Sequence, residues 1–466
     1  MEQQGAVKHT LAGIQWLFFM FANTIVIPLT IGHAFDLSSG DIATSIQRAF
    51  ILTGTASLLQ VWIGHRWILL EGQSGLWWGV IISLCASAPS MGLSLPEVGA
   101  SMITGIVLSG ITIIVMGLFG VGDRIKKWFT PHVMFVIIFL IASQLIFIFA
   151  KGMLGLNAEA TVHPMTSLFI LAVIVLVLLL TLAGPAKLRN FAILIGIIVG
   201  WIFYTLIFGT EAQSFDGGGQ LWTPFTWGSP WEVPLNGGIV AVTYLTGLLN
   251  LSNTMAAMKG SAQLFGSEPA PRQYRGGFIV TGFMNILAGI FGVVPYGTYA
   301  STIGFLQATR ILNRIPFMIG ASGLILFGFV PQLAEFFSTL PLTVGNAVLF
   351  VAYLSMMNSA LTQLRGITFT SRTIYRVALP AFIGLSWMTF PSTVWTEVPL
   401  LIQPLISNGL LLGIILTLLV NHLIPWDRME EQDRKENQKA EKPEKAEKAE
   451  KAEKAEKPAI AEAKSG

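Results

Sequence analysis

The chain has 466 residues, 53% of them hydrophobic and 11% charged, with a formal charge of +3 and a mean hydropathy of +0.67. Soluble domains carry about a quarter charged residues, so this composition belongs to a polytopic membrane protein. One cysteine, Cys85, excludes an internal disulfide framework and a multi-cysteine metal or cluster site. Six histidines without HExxH or HxxxH spacing, and no G-x-x-x-x-G-K-[ST] loop, speak against a zinc hydrolase and an ATP-driven pump.

Charge divides the chain in two. Residues 1–426 hold 17 Lys/Arg and 13 Asp/Glu, hence +4, whereas residues 427–466 hold 11 and 12, hence −1. The K-A-E repeat of that tail has almost no apolar residue to bury, so it reads as a charged, disordered cytoplasmic segment. No basic patch interleaved with aromatics exists, so nucleic acid is not a partner, and nothing in the motifs calls for a cofactor or metal.

Taken in order, segments able to cross a bilayer fall at about 11–31, 45–63, 67–88, 100–121, 131–150, 165–183, 190–209, 236–258, 275–294, 295–312, 316–334, 341–359, 374–391 and 400–421. The first follows a short head without a small-residue cleavage pattern and is read as a retained membrane helix. Every second loop is basic: Arg66; Arg124, Lys126 and Lys127; Lys187 and Arg189; Lys259, Arg272 and Arg275; Arg310 and Arg314; Arg365, Arg372 and Arg376. The alternate loops hold Asp36, Asp41, Glu97, Glu159, Glu211, Asp216, Glu232, Glu335 and Glu397, with Arg48 and Lys151 as basic exceptions. Positive loops stay inside, which puts both termini in the cytoplasm and agrees with an even number of spans.

Fourteen spans split into seven plus seven, and an odd-numbered unit reinserts in the opposite sense, giving an inverted repeat. The third and tenth segments should then correspond. After Arg66 the run W-I-L-L-E-G-Q-S-G is too short for a helical half-crossing, but about eight extended residues at ~3.3 Å each pass the midplane. From Gly75 the chain turns helical. In the tenth segment, P-Y-G-T-Y-A-S-T-I-G-F-L-Q-A-T-R, the residues Gly292, Pro295 and Gly297 discourage a continuous helix. Ser301 and Thr302 are natural N-caps for a short helix ending near Arg310. Nine residues at ~1.5 Å give roughly 13 Å, half a bilayer core, so this half-helix would present free N–H groups and a positive dipole end at the membrane centre. Broken helices of this kind hold substrate in secondary transporters.

These stretches carry a resemblance. Ser301-Thr302-Ile303-Gly304, four residues, then Thr309-Arg310 resembles the signature of the nucleobase–ascorbate transporter family, which includes bacterial uracil and xanthine permeases; Gly, Thr and Arg match, and the two leading positions depart. Residues 15–28 resemble the family's first span, with Trp16 where His is usual. G-Q-S-G-L-W at 72–77 is similar to the third-span motif, with Gly75 in place of an aromatic, and T-P-H-V-M-F at 130–135 to the start of the fifth span. The resemblance covers nearly the whole membrane region. It implies fourteen spans, with a substrate-carrying core domain (spans 1–4 and 8–11) and a gate domain (spans 5–7 and 12–14). It also implies nucleobase uptake with protons, less often sodium, and a homodimer in the cell membrane.

A nucleobase offers edge donors and acceptors and two π faces, so its pocket needs in-plane hydrogen bonds and an aromatic above. Ser74 and Gly75 belong to the third-segment turn. Tyr299, Ala300, Ser301 and Thr302 of the tenth can supply backbone N–H groups and hydroxyls, unless they serve only as cap and turn. Trp77 or Trp78 can stack on the base, with packing as the plain alternative. The family usually places a carboxylate on span eight, yet no Asp or Glu lies between Glu232 and Glu268. Depth points to Tyr244 there, with Asn250 and Asn253 deeper and suited to helix–helix bonding. Tyr353 of span twelve can close the pocket from the gate side. Glu71 is the acid at membrane depth. Such carboxylates are expensive and usually functional, so it is assigned to ion coupling, against a surface pair with Arg66.

The leading function is therefore cation-coupled nucleobase uptake, with purines such as xanthine, guanine or uric acid favoured over uracil. An anion carrier on the same fold would want a basic residue at the second half-helix start, and Ser301 is not basic. A lipid-modifying membrane enzyme would need a polar catalytic cluster that is missing, and a non-transporting sensor would use the charged tail.

Overall fold

The computed structural model describes residues 2–125, 127–156, 161–189, 191–209, 220–426 and 428–429; nearly all of the charged tail and the loop acids Glu159, Glu211 and Asp216 lie outside them. From the N-terminus run α1 (Glu2–Thr24), α2 (Val26–Ala34), α3 (Ser39–Trp62), β1 (Glu71–Gln73), α4 (Gly75–Met91) and α5 (Leu95–Leu118). The short α6 (Gly122–Ile125) leads to α7 (Pro131–Met153), α8 (Pro164–Leu182), the short α9 (Ala186–Arg189) and α10 (Ala192–Phe208). Then follow α11 (Gly237–Phe265), α12 (Pro271–Ile290), β2 (Tyr296–Thr298), α13 (Ser301–Thr309), α14 (Arg314–Gly328) and α15 (Pro331–Ser338). The chain closes with α16 (Leu342–Gln363), α17 (Ser371–Thr389), the short α18 (Gln403–Ile406) and α19 (Gly409–Leu423).

Helix starts follow side-chain chemistry. Ser38 Oγ accepts the Asp41 N–H, Thr130 Oγ1 the Val133 N–H and Asn236 Oδ1 the Ile239 N–H, while Ser94 and Glu97 close a capping box on α5. Among the described residues six helices are long and apolar enough to cross a membrane, and α14 with α15, bent by 83°, would make a seventh. The chain is a multi-pass membrane protein. α8 shows why: Leu168, Leu171, Val175 and Leu179 face outward, and only Ile170, Val173 and Val177 of its length are buried. Such a face is stable only against acyl chains or another apolar surface.

Packing interleaves the two halves of the chain. α5 lies against α11 and α12, and both α1 and α3 lie against α14. A second group forms where α7 packs on α16, α17 and α19, with α8 and α10 on α16. The two groups touch where α4 meets α7, α2 meets α16 and α1 meets α10.

β1 and β2 pair antiparallel inside the first group, in the register Glu71–Thr298, Gly72–Gly297 and Gln73–Tyr296. The ladder extends at both ends, since Ser74 N donates to Pro295 O (2.9 Å) and Tyr299 N to Leu70 O (2.8 Å). Both strands are buried, where backbone groups must find partners inside the protein, and this ladder supplies them. α4 and α13 each begin directly after a strand, so two helix N-termini converge on one short sheet.

Candidate functional site

The register gives the sheet two different faces, because side chains alternate along a strand. On the front, Gly72 and Gly297 lie opposite each other with no side chains. A Cβ on Gly72 would sit only 2.9 Å from the Tyr299 ring and one on Gly297 3.2 Å from the Asn250 amide, so a side chain at 72 would displace Tyr299 and one at 297 would press on Asn250. The back carries Glu71, Gln73, Tyr296 and Thr298, all buried.

At the front, α11 brings two asparagines to the start of α4. Ser74 Oγ donates to Asn250 Oδ1 (2.5 Å), and Asn253 Nδ2 donates to Asn250 Oδ1 (2.9 Å) and Ser74 Oγ (3.2 Å). Asn250 Nδ2 in turn donates to Tyr296 O (2.7 Å), which ties α11 to β2. The Tyr299 hydroxyl donates to Gln73 O (2.5 Å), so its ring lies across β1. Asn253 is only half-buried, and its Oδ1 has no protein partner among the described residues. Tyr299 and Ala300 are half-buried and Ser301 is exposed, so the start of α13 opens to the same side. At the start of α13 the Thr302 and Ile303 N–H groups already bond Tyr299 O (3.2 Å) and Ala300 O (3.0 Å), which leaves those of Ala300 and Ser301 to face outward, and both helix starts carry the positive end of a helix dipole.

The second group of helices supplies the opposite wall. A Cβ on Gly75 would meet Leu145 of α7 at 3.0 Å and the Tyr353 ring of α16 at 3.9 Å. Tyr353 and Phe149 lie edge-on at 5.2 Å between centroids, and Trp78 lies 5.0 Å from Phe149 and 6.2 Å from Tyr353. Trp78 is anchored by its Nε1 on Thr30 Oγ1 (2.8 Å). An aromatic wall therefore faces the strand crossing where the sequence leaves only glycine at position 75.

The structure brings Ser74, Gly75, Tyr299, Ala300 and Ser301 to this junction. It places the other candidates differently. Both tryptophans are fully buried, but Trp77 lies where α4 meets α11, its ring edge close to Gly247, and Trp78 is the one that turns toward Tyr353. Tyr244 points away, its hydroxyl accepting from Thr112 of α5 at 3.4 Å. Asn250, six residues on, is 240° further around the same helix and takes the place proposed for Tyr244. Thr302 is buried and its Oγ1 accepts the Leu70 N–H (3.3 Å), so it fastens α13 to the chain before β1; the N-cap position is Ala300, not Ser301 or Thr302.

Glu71 does not pair with Arg66. Its carboxylate accepts from Thr281 of α12 (Oε1, 2.5 Å) and from Thr298 (Oε2, 2.7 Å). Gln60 Nε2 donates to Thr281 Oγ1 (3.0 Å), which directs the Thr281 hydrogen at Glu71. Thr298 has a second choice, Thr254 Oγ1 at 3.2 Å. A group with these partners can exist as carboxylate or as neutral acid, because the Thr298 hydroxyl can turn to Thr254 when Glu71 carries a proton. The signal for Thr281 and Gln60 was absent from local sequence, since they come from α12 and α3. That for Thr298 and Gln73 was present, as the period-2 alternation of two short strands. Among the described residues no cluster of three or more His, Cys, Asp or Glu could hold a metal ion.

Comparison with known proteins agrees with this architecture. A family model described as Permease family (Xan_ur_permease) matches residues 7–393. YwdJ of Bacillus subtilis (strain 168) is 26% identical over 438 residues, 92% of this chain and 98% of its own length. The xanthine permease of the same organism is 22% identical over 425 residues (90% and 94%), and the uric acid transporter UacT of Escherichia coli (strain K12) 24% over 427 residues (89% and 85%). Among solved structures, the transmembrane domain of the cyanobacterial bicarbonate transporter BicA superposes with a TM-score of 0.59 at 15% identity, covering 88% of this chain and 96% of that one. SLC26A9 superposes with 0.58 at 11% identity, covering 89% and 65%. At that identity the likeness is one of fold.

Proposed function

Since the chain belongs to the Permease family, we propose that it is a secondary active transporter that takes up a nucleobase, a purine such as xanthine, guanine or uric acid, together with a cation, the proton. The observation that carries this reading is the junction itself. Two helix N-termini, Ser74, Asn250 and Asn253 converge at a glycine-paired strand crossing, opposite an aromatic wall. The Ala300 and Ser301 N–H groups at the start of α13 suit ring carbonyl oxygens, Asn253 Oδ1 suits a ring N–H, and Tyr353, backed by Trp78, lies against the π face.

The same reading takes the first packing group as the moving core and the second as the gate, within fourteen spans arranged as a seven-plus-seven inverted repeat. The core slides against the gate with the site between them. Both termini lie in the cytoplasm, the protein sits in the plasma membrane, and it works as a homodimer. Glu71 couples substrate movement to the proton: it is fully buried, held by hydroxyls and not by a cation, and one of those hydroxyls has an alternative acceptor.

Uptake of labelled xanthine, guanine, hypoxanthine, uric acid and uracil into cells lacking their own permeases, with and without a protonophore, tests the function. Accumulation of at least one purine, collapsed by the protonophore, is the expected outcome. Failure to accumulate any of the five removes the nucleobase reading, and accumulation indifferent to the protonophore removes the proton.

A further inference from the structure

We propose that the back of the strand pair is a proton path, a column of buried polar groups that hydrates at its outer end and delivers a proton to Glu71 without passing the substrate junction. The proposal rests on the coupling role of Glu71 given above.

Three elements build the column. α3 contributes Ser45, Thr53, Ser57 and Gln60, whose spacings of eight, four and three put them on one helix face. β1 and β2 add the back-face side chains Glu71, Gln73 and Tyr296, and α12 adds Thr281 and Asn285. By the loop charges, Ser45 is at the external end and Gln60 at the cytoplasmic end.

Hydrogen bonding is uneven along this column. From Glu71 inward it is saturated: Gln60 donates to Thr281, Thr281 and Thr298 donate to Glu71, and Ser57 Oγ exchanges hydrogen bonds with the Glu71 backbone. From Glu71 outward it is not. Both side-chain polar atoms of Gln73 and Asn285 Nδ2 are buried with no protein partner, and the Tyr296 hydroxyl and Thr53 Oγ1 have only each other within reach, without good hydrogen-bond geometry. Buried polar atoms are normally paired with protein or with ordered water, so this cluster marks where water resides. Their outer end opens on a small cavity of about 10 Å³, lined by Ser45, Gln73 and residues 292–294, which is the room one water needs.

Charged groups do not interrupt the path. Around Glu71, α12 presents Thr281, α3 presents Ser57 and Gln60, and Thr254 of α11 stands behind Thr298, while the titratable neighbours on β2 and beyond it are Tyr296 and Tyr299. Arg48 of α3, at the outer end, is already engaged by Leu221 O, Gln220 O, Phe291 O and Thr226 Oγ1. In the transfer itself a hydronium ion at the external face gives up a proton and becomes water, successive exchanges pass the proton along the hydrated groups, and one proton arrives on a Glu71 carboxylate oxygen. The acid becomes neutral, and the Thr298 hydroxyl turns from Glu71 to Thr254. Once the core has crossed, the proton leaves Glu71 on its other side, toward Thr281 and Gln60 at the cytoplasmic end of the column.

The test uses the full chain in proteoliposomes holding a pH-sensitive dye, with xanthine or uric acid, whichever the unaltered protein accumulates. Thr53→Val and Ser45→Ala lie away from the substrate junction and should leave substrate counterflow, which needs no net proton movement, unchanged. Each should slow substrate-driven proton influx, together by at least about tenfold, and Thr53→Ser should restore it. If Glu71→Gln abolishes proton influx while the α3 variants do not slow it, the path is wrong and the coupling role stands. If Glu71→Gln itself leaves proton influx intact, the coupling role fails and the path with it. Equal loss of counterflow and proton influx in the α3 variants would show these hydroxyls to be structural and overturn the path.

Discussion

Ser74 Oγ and Asn250 Oδ1 lie 2.5 Å apart although 176 positions separate them in the chain. This contact joins the start of one half-helix to a continuous helix, and Asn250 reaches on to β2 through Tyr296 O. Asn250→Ala would leave the Ser74 hydroxyl and the Tyr296 carbonyl without their partner, at about 1–3 kcal/mol for each buried group left unpaired. Nucleobase uptake is expected to fall at least about tenfold, the equivalent of ~1.4 kcal/mol. Asn250→Asp should do no better at neutral pH, because a carboxylate would face the Tyr296 carbonyl that the amide N–H now meets. Normal uptake by Asn250→Ala would remove this residue from the site.

Glu71→Gln keeps the size of the side chain but offers a fixed donor where both Thr281 and Thr298 now donate. Proton-driven accumulation is expected to disappear. Unchanged accumulation against a substrate gradient would retire the coupling role.

Gly72 tests the front face of the sheet. A methyl group there would sit 2.9–3.0 Å from the Tyr299 ring, closer than carbon atoms tolerate, so Gly72→Ala must move Tyr299 off Gln73 O. Overpacking of this kind costs about 1–3 kcal/mol. Uptake affinity should drop while the amount of protein in the membrane changes little. An affinity equal to that of the unaltered chain would mean that Tyr299 does not shape the pocket.

Arg48 is fully buried and binds four oxygen acceptors, fastening residues 220–226 to the end of α12 at Phe291. Leaving two of those acceptors unpaired costs about 2–6 kcal/mol. Arg48→Met should lower the thermal unfolding temperature in detergent measurably. Arg48→Lys should recover little of it, because three donors on one ammonium cannot reproduce the fork of a guanidinium. Full recovery by lysine would show that charge, not geometry, holds the loop.

Several features of this protein can be read from its residues in isolation. An apolar composition, basic alternate loops and helix-breaking Gly and Pro at 292–297 point to a multi-pass membrane protein with an extended stretch in the tenth segment, because burial in lipid and backbone conformation are set locally. Glu71 stands out by the same reasoning, as an acid in an apolar run.

Side-chain direction is a different matter. Trp77 and Trp78 are adjacent and chemically alike, yet only Trp78 faces Tyr353, and Tyr244 and Asn250 share a helix but point to opposite neighbours. A helix wheel gives their relative angle, but which side meets the strands depends on how α11 docks, and that is decided by residues more than a hundred positions away. The partners of Glu71 are likewise drawn from α3, β2 and α12, so only tertiary packing could show a carboxylate held by hydroxyls in place of one paired with Arg66.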